Sequence, residues 1–230
     1  MTPTARNLDR AIEVGIIATL LLAPLPFGSV RPWAQIALEL LVVLTAALLS
    51  TRMLVDGAVT VRLTPLLWPG LAMLALIEIQ LLLPGWSASR YATWESARLY
   101  VTYLVFLVVL SAHLVTVKRI IRLIAVLVGW GVVLAVWGVV NHALGRELVL
   151  WFEKESYRGR LVSTFVNPNH QALYFGILLF LALGMVLRVP RRAPATAGDA
   201  SSMMRGVTGA GIASQLLFGG SAVVLGVASF

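Results

Sequence analysis

Runs of about 20 apolar residues, separated by short charged segments, are the feature that most constrains the fold of this chain. Of its 230 residues, 59% are apolar and 12% are charged, and the mean hydropathy is +0.90. Soluble domains are about 45–50% apolar and about 25% charged, so this composition does not suit a soluble domain. We therefore expect an all-α protein, a polytopic transmembrane helix bundle that lies in the lipid bilayer.

The apolar runs predict about seven spans within a single transmembrane domain, residues 1–230. The predicted spans are 11–30, 33–50, 65–83, 99–117, 121–140, 168–187 and 209–230, and the longest loop outside the membrane is 141–166. Pro24 and Pro26 are expected to end the first helix, because proline lacks an N–H and clashes with the preceding turn. Since the last run closes the sequence without a polar anchor, we expect a piece truncated from a larger protein.

Basic residues divide unequally between the two sides of the predicted membrane. With a cytoplasmic N-terminus, eleven of the 18 lysines and arginines lie inside and seven outside, which favours this orientation. Topology and anionic lipid headgroups explain the net charge of +8 better than nucleic-acid binding does, so no nucleic-acid partner is expected. Four of the outer positive charges lie together in the loop 141–166, which topology alone does not explain.

Two acidic residues, Glu39 and Glu78, fall inside predicted spans, where a charge costs about 2.5–3.5 kcal/mol. They are either functional, paired with each other or lining a polar cavity, or they are neutral and hydrogen-bonded between helices. The chain has no cysteine, which excludes disulfides and thiolate metal sites. Its three histidines are far apart in sequence, and their spacing to carboxylates matches no zinc site, so no metal is expected.

The most informative segment runs from Arg158 into the sixth predicted span. Asn167 is a suitable helix N-cap and Pro168 suits the first helical position, so the segment could simply begin a helix. Free N–H groups at a helix start also bind anions. The planar guanidinium groups of arginines, such as Arg158 and Arg160, can donate two parallel hydrogen bonds to phosphate oxygens. These residues therefore point either to a helix start alone or to a phosphate site. His170 is a weak candidate for a general base.

The same segment, YRGRLVSTFVNPNHQALYF, resembles the R-x-x-G-T-F-x-N-P-N-H-x-A-x-Y signature of the O-antigen ligase and polymerase family of bacterial membrane proteins. The resemblance is specific from Arg160 to Tyr174, and PLPFGSVRPWA resembles the first outer loop of many members. Arg160 corresponds to the first arginine of the signature, and residues 167–170 correspond to its NPNH. Ser163 stands where glycine is usual.

The resemblance implies a multi-pass protein of the bacterial inner membrane that needs no metal or cofactor. Members transfer a glycan from undecaprenyl diphosphate, on the periplasmic side, to lipid A core, another glycan chain or protein. It implies that Arg160 binds the diphosphate of the carrier. Arg158, Asn167 and Asn169 are the further substrate-binding candidates, although Asn167, like Pro168, is expected mainly to set the start of the helix. The family's second signature, with its catalytic histidine, is absent, so the chain alone is expected to be inactive. A small multipass transporter or channel, or a non-catalytic membrane subunit, is the alternative.

Overall fold

The computed structural model describes residues 3–57, 64–150, 152–154 and 156–187. These residues form six α-helices and one short antiparallel hairpin, in which β1 (Leu148–Val149) pairs with β2 (Phe152–Glu153). A 3-10 turn, Phe27–Ser29, follows the first helix. The helices are α1 (Pro3–Leu22), α2 (Pro32–Asp56), α3 (Leu67–Leu82), α4 (Arg90–His113), α5 (Val117–Ala143) and α6 (Pro168–Val186).

Four of the described helices, α2, α4, α5 and α6, are long and apolar enough to cross a membrane. Helix α3 is apolar but has only 16 residues, which is short for a span. Helix α1 carries Arg6, Asp9, Arg10 and Glu13 and is not among the four. The prediction of about seven spans is therefore wrong, because apolar content alone does not register these charges or the short helix. The predicted span 209–230 lies outside the described residues.

Helix boundaries follow local capping more closely than the apolar runs do. Helix α1 ends at Leu22, just before Pro24, as the proline argument predicts. Helix α4 begins at Arg90 rather than at residue 99, because the Ser89 hydroxyl accepts the Ala92 N–H at 3.4 Å and caps the helix. The polar first turns of α4, including Arg98, are therefore helical rather than part of a loop.

The chain divides into two compact units, Met1–Ile121 and Arg122–Phe230. In the first unit, α1 packs against α2, and α4 packs against both α2 and α3. The helices α1 and α2 approach closely where Gly15 faces Thr45, since a side chain at Gly15 would collide with the threonine. Ile12, Ile16 and other side chains on the same face of α1 are fully buried in this contact region.

One carboxylate, that of Asp9, links four helices of the first unit. It pairs with Arg119, lies 3.4 Å from the Arg52 guanidinium, and lies 3.7 Å from Nδ1 of His113. Arg119 also donates to the His113 carbonyl at 3.0 Å, which fixes the corner between α4 and α5. Arg52 and Arg119, two of the inner basic residues of the predicted topology, are thus structural ion-pair partners.

We expect Asp9→Asn to destabilise the protein by about 3–5 kcal/mol, because it leaves the largely buried Arg119 without its anionic partner. The free energy of unfolding, measured by SDS titration in mixed micelles, checks this. Arg10→Gln, an exposed position on the same helix, is the matched control and should change little. Equal stability of Asp9→Asn and wild type would contradict the structural role of Asp9.

Candidate functional site

Helix α6 begins as the sequence predicts. Asn167 is its N-cap, with the side-chain oxygen accepting the Asn169 N–H at 2.9 Å, and Pro168 occupies the first turn. Asn169 and His170 are exposed in the same turn. The Asn167 side chain is therefore engaged in capping the helix, whereas the side chains of Asn169 and His170 face outwards.

Ser163 fixes the segment before α6 to both neighbouring helices. Its hydroxyl donates to the Leu134 carbonyl of α5 at 2.6 Å, and its N–H donates to Oε1 of Gln171 in α6. It packs on Gly138 so closely that a Cβ on that glycine would lie 3.0 Å from the serine Cβ. The Ser163 side chain therefore provides a hydrogen bond that ties this segment to α5.

A buried lysine, Lys154, organises the loop between α5 and α6. Only 4% of the residue is exposed, and its Nζ lies 2.9 Å from Oε2 of Glu147 and donates to the Arg160 carbonyl at 2.9 Å. The other oxygen of Glu147 accepts the Gly159 N–H at 2.9 Å. We call Lys154 and Glu147, with their bonds to the main chain of residues 159–160, the Lys154 clamp.

Lys154 is one of the four positive charges of the loop 141–166, and the sequence alone gives no reason to pair it with Glu147. Hairpin register supplies the missing signal: Leu148 pairs with Glu153, so the next pair outward is Glu147 with Lys154. Opposite charges at directly opposed positions stabilise a hairpin. Hydrogen bonds from Lys154 and Gly159 hold the pKa of the Glu147 carboxyl below its usual range, so this carboxyl is ionised at neutral pH.

The clamp presents Arg158 and Arg160 at the surface. Both side chains are exposed; Nε of Arg158 donates to the Lys154 carbonyl at 3.2 Å, and the Arg160 guanidinium lies 6.0 Å from the Tyr157 ring centroid. Between them, Gly159 has a φ of +77°, a conformation that favours glycine. Among the described residues, neither arginine side chain is hydrogen-bonded to Asn167, Asn169 or His170. The predicted site residues therefore form two groups: the two arginines of the loop, and the three residues at the start of α6.

A cavity of about 470 Å³ opens beside the clamp. Its volume lies within the range of small-molecule sites. Of the residues predicted from sequence to bind substrate, Arg158 contributes to its wall. The lining consists of Arg146, Glu147, Leu148, Glu153, Lys154 and Arg158.

Glu39 and Glu78, which the sequence predicts to lie inside spans, are not paired with each other in the described part of the chain. Glu39 of α2 forms an ion pair with Arg98 of α4 at 3.0 Å, and its side chain is only 15% exposed. Glu78 is exposed on α3. Among the described residues, no three His, Cys, Asp or Glu side chains converge in a way that could hold a metal ion.

The two acids should therefore respond differently to neutralisation. We expect Glu39→Gln to lower the free energy of unfolding by about 1–3 kcal/mol, because it removes the charged partner of Arg98 between two helices. Glu78→Gln, an equal chemical change at an exposed position, should have little effect or be slightly stabilising in a bilayer. Unfolding of both variants in micelles measures the difference; equal losses would contradict the assignment of Glu39 to a structural ion pair.

The described residues form a helical protein with four helices that could cross a membrane and a folded, arginine-bearing loop between α5 and α6. No protein-family model, curated protein or solved structure matches the chain. Its function is therefore inferred from the residues of the α5–α6 loop and their chemistry.

Proposed function

We propose that this chain belongs to an O-antigen ligase-like glycosyltransferase of the bacterial inner membrane, with its N-terminus in the cytoplasm. The enzyme would take a glycan from undecaprenyl diphosphate on the periplasmic side and transfer it to lipid A core, another glycan or protein. The signature-like residues from Arg160 to Tyr174 support the family, and four apolar helices support a multi-pass membrane protein.

The position of the loop relative to the membrane supports this function. It connects the end of α5 to the start of α6, both long and apolar enough to cross a membrane, so in this proposal it would lie at the level of the lipid headgroups. Of the four candidate spans, three precede the loop, namely α2, α4 and α5. With these spans and the proposed cytoplasmic N-terminus, the loop would lie on the periplasmic side, where a lipid-linked donor would meet it.

The observation that supports the proposal most is the exposure of Arg158 and Arg160 on a turn that the Lys154 clamp holds. In the proposed transfer, an acceptor hydroxyl oxygen bonds to the anomeric carbon while the bond from that carbon to the diphosphate oxygen breaks. The diphosphate leaves with the electron pair, and the hydroxyl proton passes to a base, for which His170 is the candidate in this motif. Arginines at the diphosphate stabilise the charge that develops on the leaving group.

We expect Arg160→Ala, introduced into the gene in its native host, to reduce glycan transfer by about tenfold or more, the effect of losing a charged hydrogen bond to phosphate. Surface glycan is measured by gel and antibody, with the membrane level of the protein measured in parallel. Arg10→Ala, an exposed arginine on α1, is the control. Wild-type glycan in the Arg160→Ala strain, at normal protein level, would contradict the proposal and favour a transporter or a non-catalytic subunit.

A further inference from the structure

The cavity beside the clamp has polar groups that no bond within the described residues uses. Arg146 and Glu153 are exposed, and their side chains make no hydrogen bond or ion pair with the described part of the chain. Arg158 uses only its Nε, which leaves the donors at the tip of its guanidinium available. These three side chains line the same 470 Å³ space.

In contrast to these free groups, two other side chains that line the cavity are held in place. Lys154 and Glu147 bond to each other and to the main chain, so they shape the cavity rather than compete for a ligand. Preorganised walls lower the entropy cost of binding. A ligand would therefore be recognised by the side chains that remain free.

The charged side chains that line the cavity indicate which class of ligand it suits. The lining has three cationic and two anionic side chains, and one carboxylate, that of Glu147, is already neutralised by Lys154. Two guanidinium groups suit the oxygens of one phosphate, whereas the free carboxylate of Glu153 can only accept hydrogen bonds from hydroxyl or amine donors. The cavity thus suits a molecule that bears a phosphate and, next to it, hydroxyl groups.

We propose that this cavity binds the first phosphorylated sugar of the donor, with Arg146 and Arg158 on the phosphate and Glu153 on the sugar hydroxyls. The choice of a sugar as the bearer of the hydroxyls rests on the proposed function. Arg146 and Glu153 lie outside the signature-like segment, and they add a specificity-determining role to the diphosphate contacts assigned to Arg160.

Calorimetric titration of the purified chain in phosphatidylcholine nanodiscs tests the assignment with three probes: glucose 1-phosphate, inorganic phosphate and glucose. We expect glucose 1-phosphate to bind most tightly. Arg146→Gln should weaken both phosphate-bearing probes by about tenfold. Glu153→Gln should weaken glucose 1-phosphate and leave inorganic phosphate unchanged or tighter. Arg10→Gln and Glu78→Gln, which make the same chemical changes at exposed positions of the first unit, are the controls.

Two results would overturn the inference. One is glucose 1-phosphate binding no tighter than inorganic phosphate, or binding unaffected by Arg146→Gln. The other is loss of glucose 1-phosphate binding when phosphatidylglycerol is added to the nanodiscs, which would make the cavity a site for lipid headgroups. Failure of the proposed function would give a different result. The Arg160→Ala strain would transfer glycan normally, while binding of glucose 1-phosphate to the purified chain would still depend on Arg146 and Glu153.

Discussion

The ion pair between Lys154 and Glu147 is the interaction on which the order of the α5–α6 loop depends. Removing an ammonium group from water is costly unless it is paired and hydrogen-bonded, and here a carboxylate and a carbonyl supply both. Among its described residues, the connection from Leu144 to Asn167 contains as regular structure only a hairpin with two-residue strands, so ordering its backbone needs such compensation. The clamp places the main chain of residues 159–160, and with it the surface on which Arg158 and Arg160 lie.

The two units use their charged residues in different ways. In the first, Asp9 and Glu39 are largely buried and pair with arginines from other helices, so these charges hold the helices together. In the second, the paired Lys154 and Glu147 support arginines whose guanidinium groups remain exposed. Exposed, preorganised guanidinium groups are suited to bind an anion, whereas buried ion pairs are suited to specify a helix arrangement.

Features that depend on neighbouring residues could be predicted from the sequence, and features that depend on distant ones could not. Capping by Asn167, Pro168 in the first turn of α6 and the end of α1 before Pro24 all follow from local rules, and the structure confirms them. The ion pair of Asp9 with Arg119 joins residues 110 positions apart and has no local signal. The Lys154 clamp lies between these cases, because Glu147 and Lys154 become neighbours only once the register of the hairpin is known.

Hydrogen exchange at the turn 158–160 tests most directly whether Lys154 orders this loop. The Gly159 N–H bonds to Glu147, and the Lys154 ammonium holds both Glu147 and the Arg160 carbonyl. We predict that Lys154→Met raises the exchange rate of a peptide covering this turn by about tenfold or more, the loss of a charged hydrogen bond, while peptides from α5 and α6 exchange as in wild type. Lys118→Met, at the only other lysine of the sequence, which is exposed, should leave the turn protected. Unchanged protection of the turn in Lys154→Met would contradict the account.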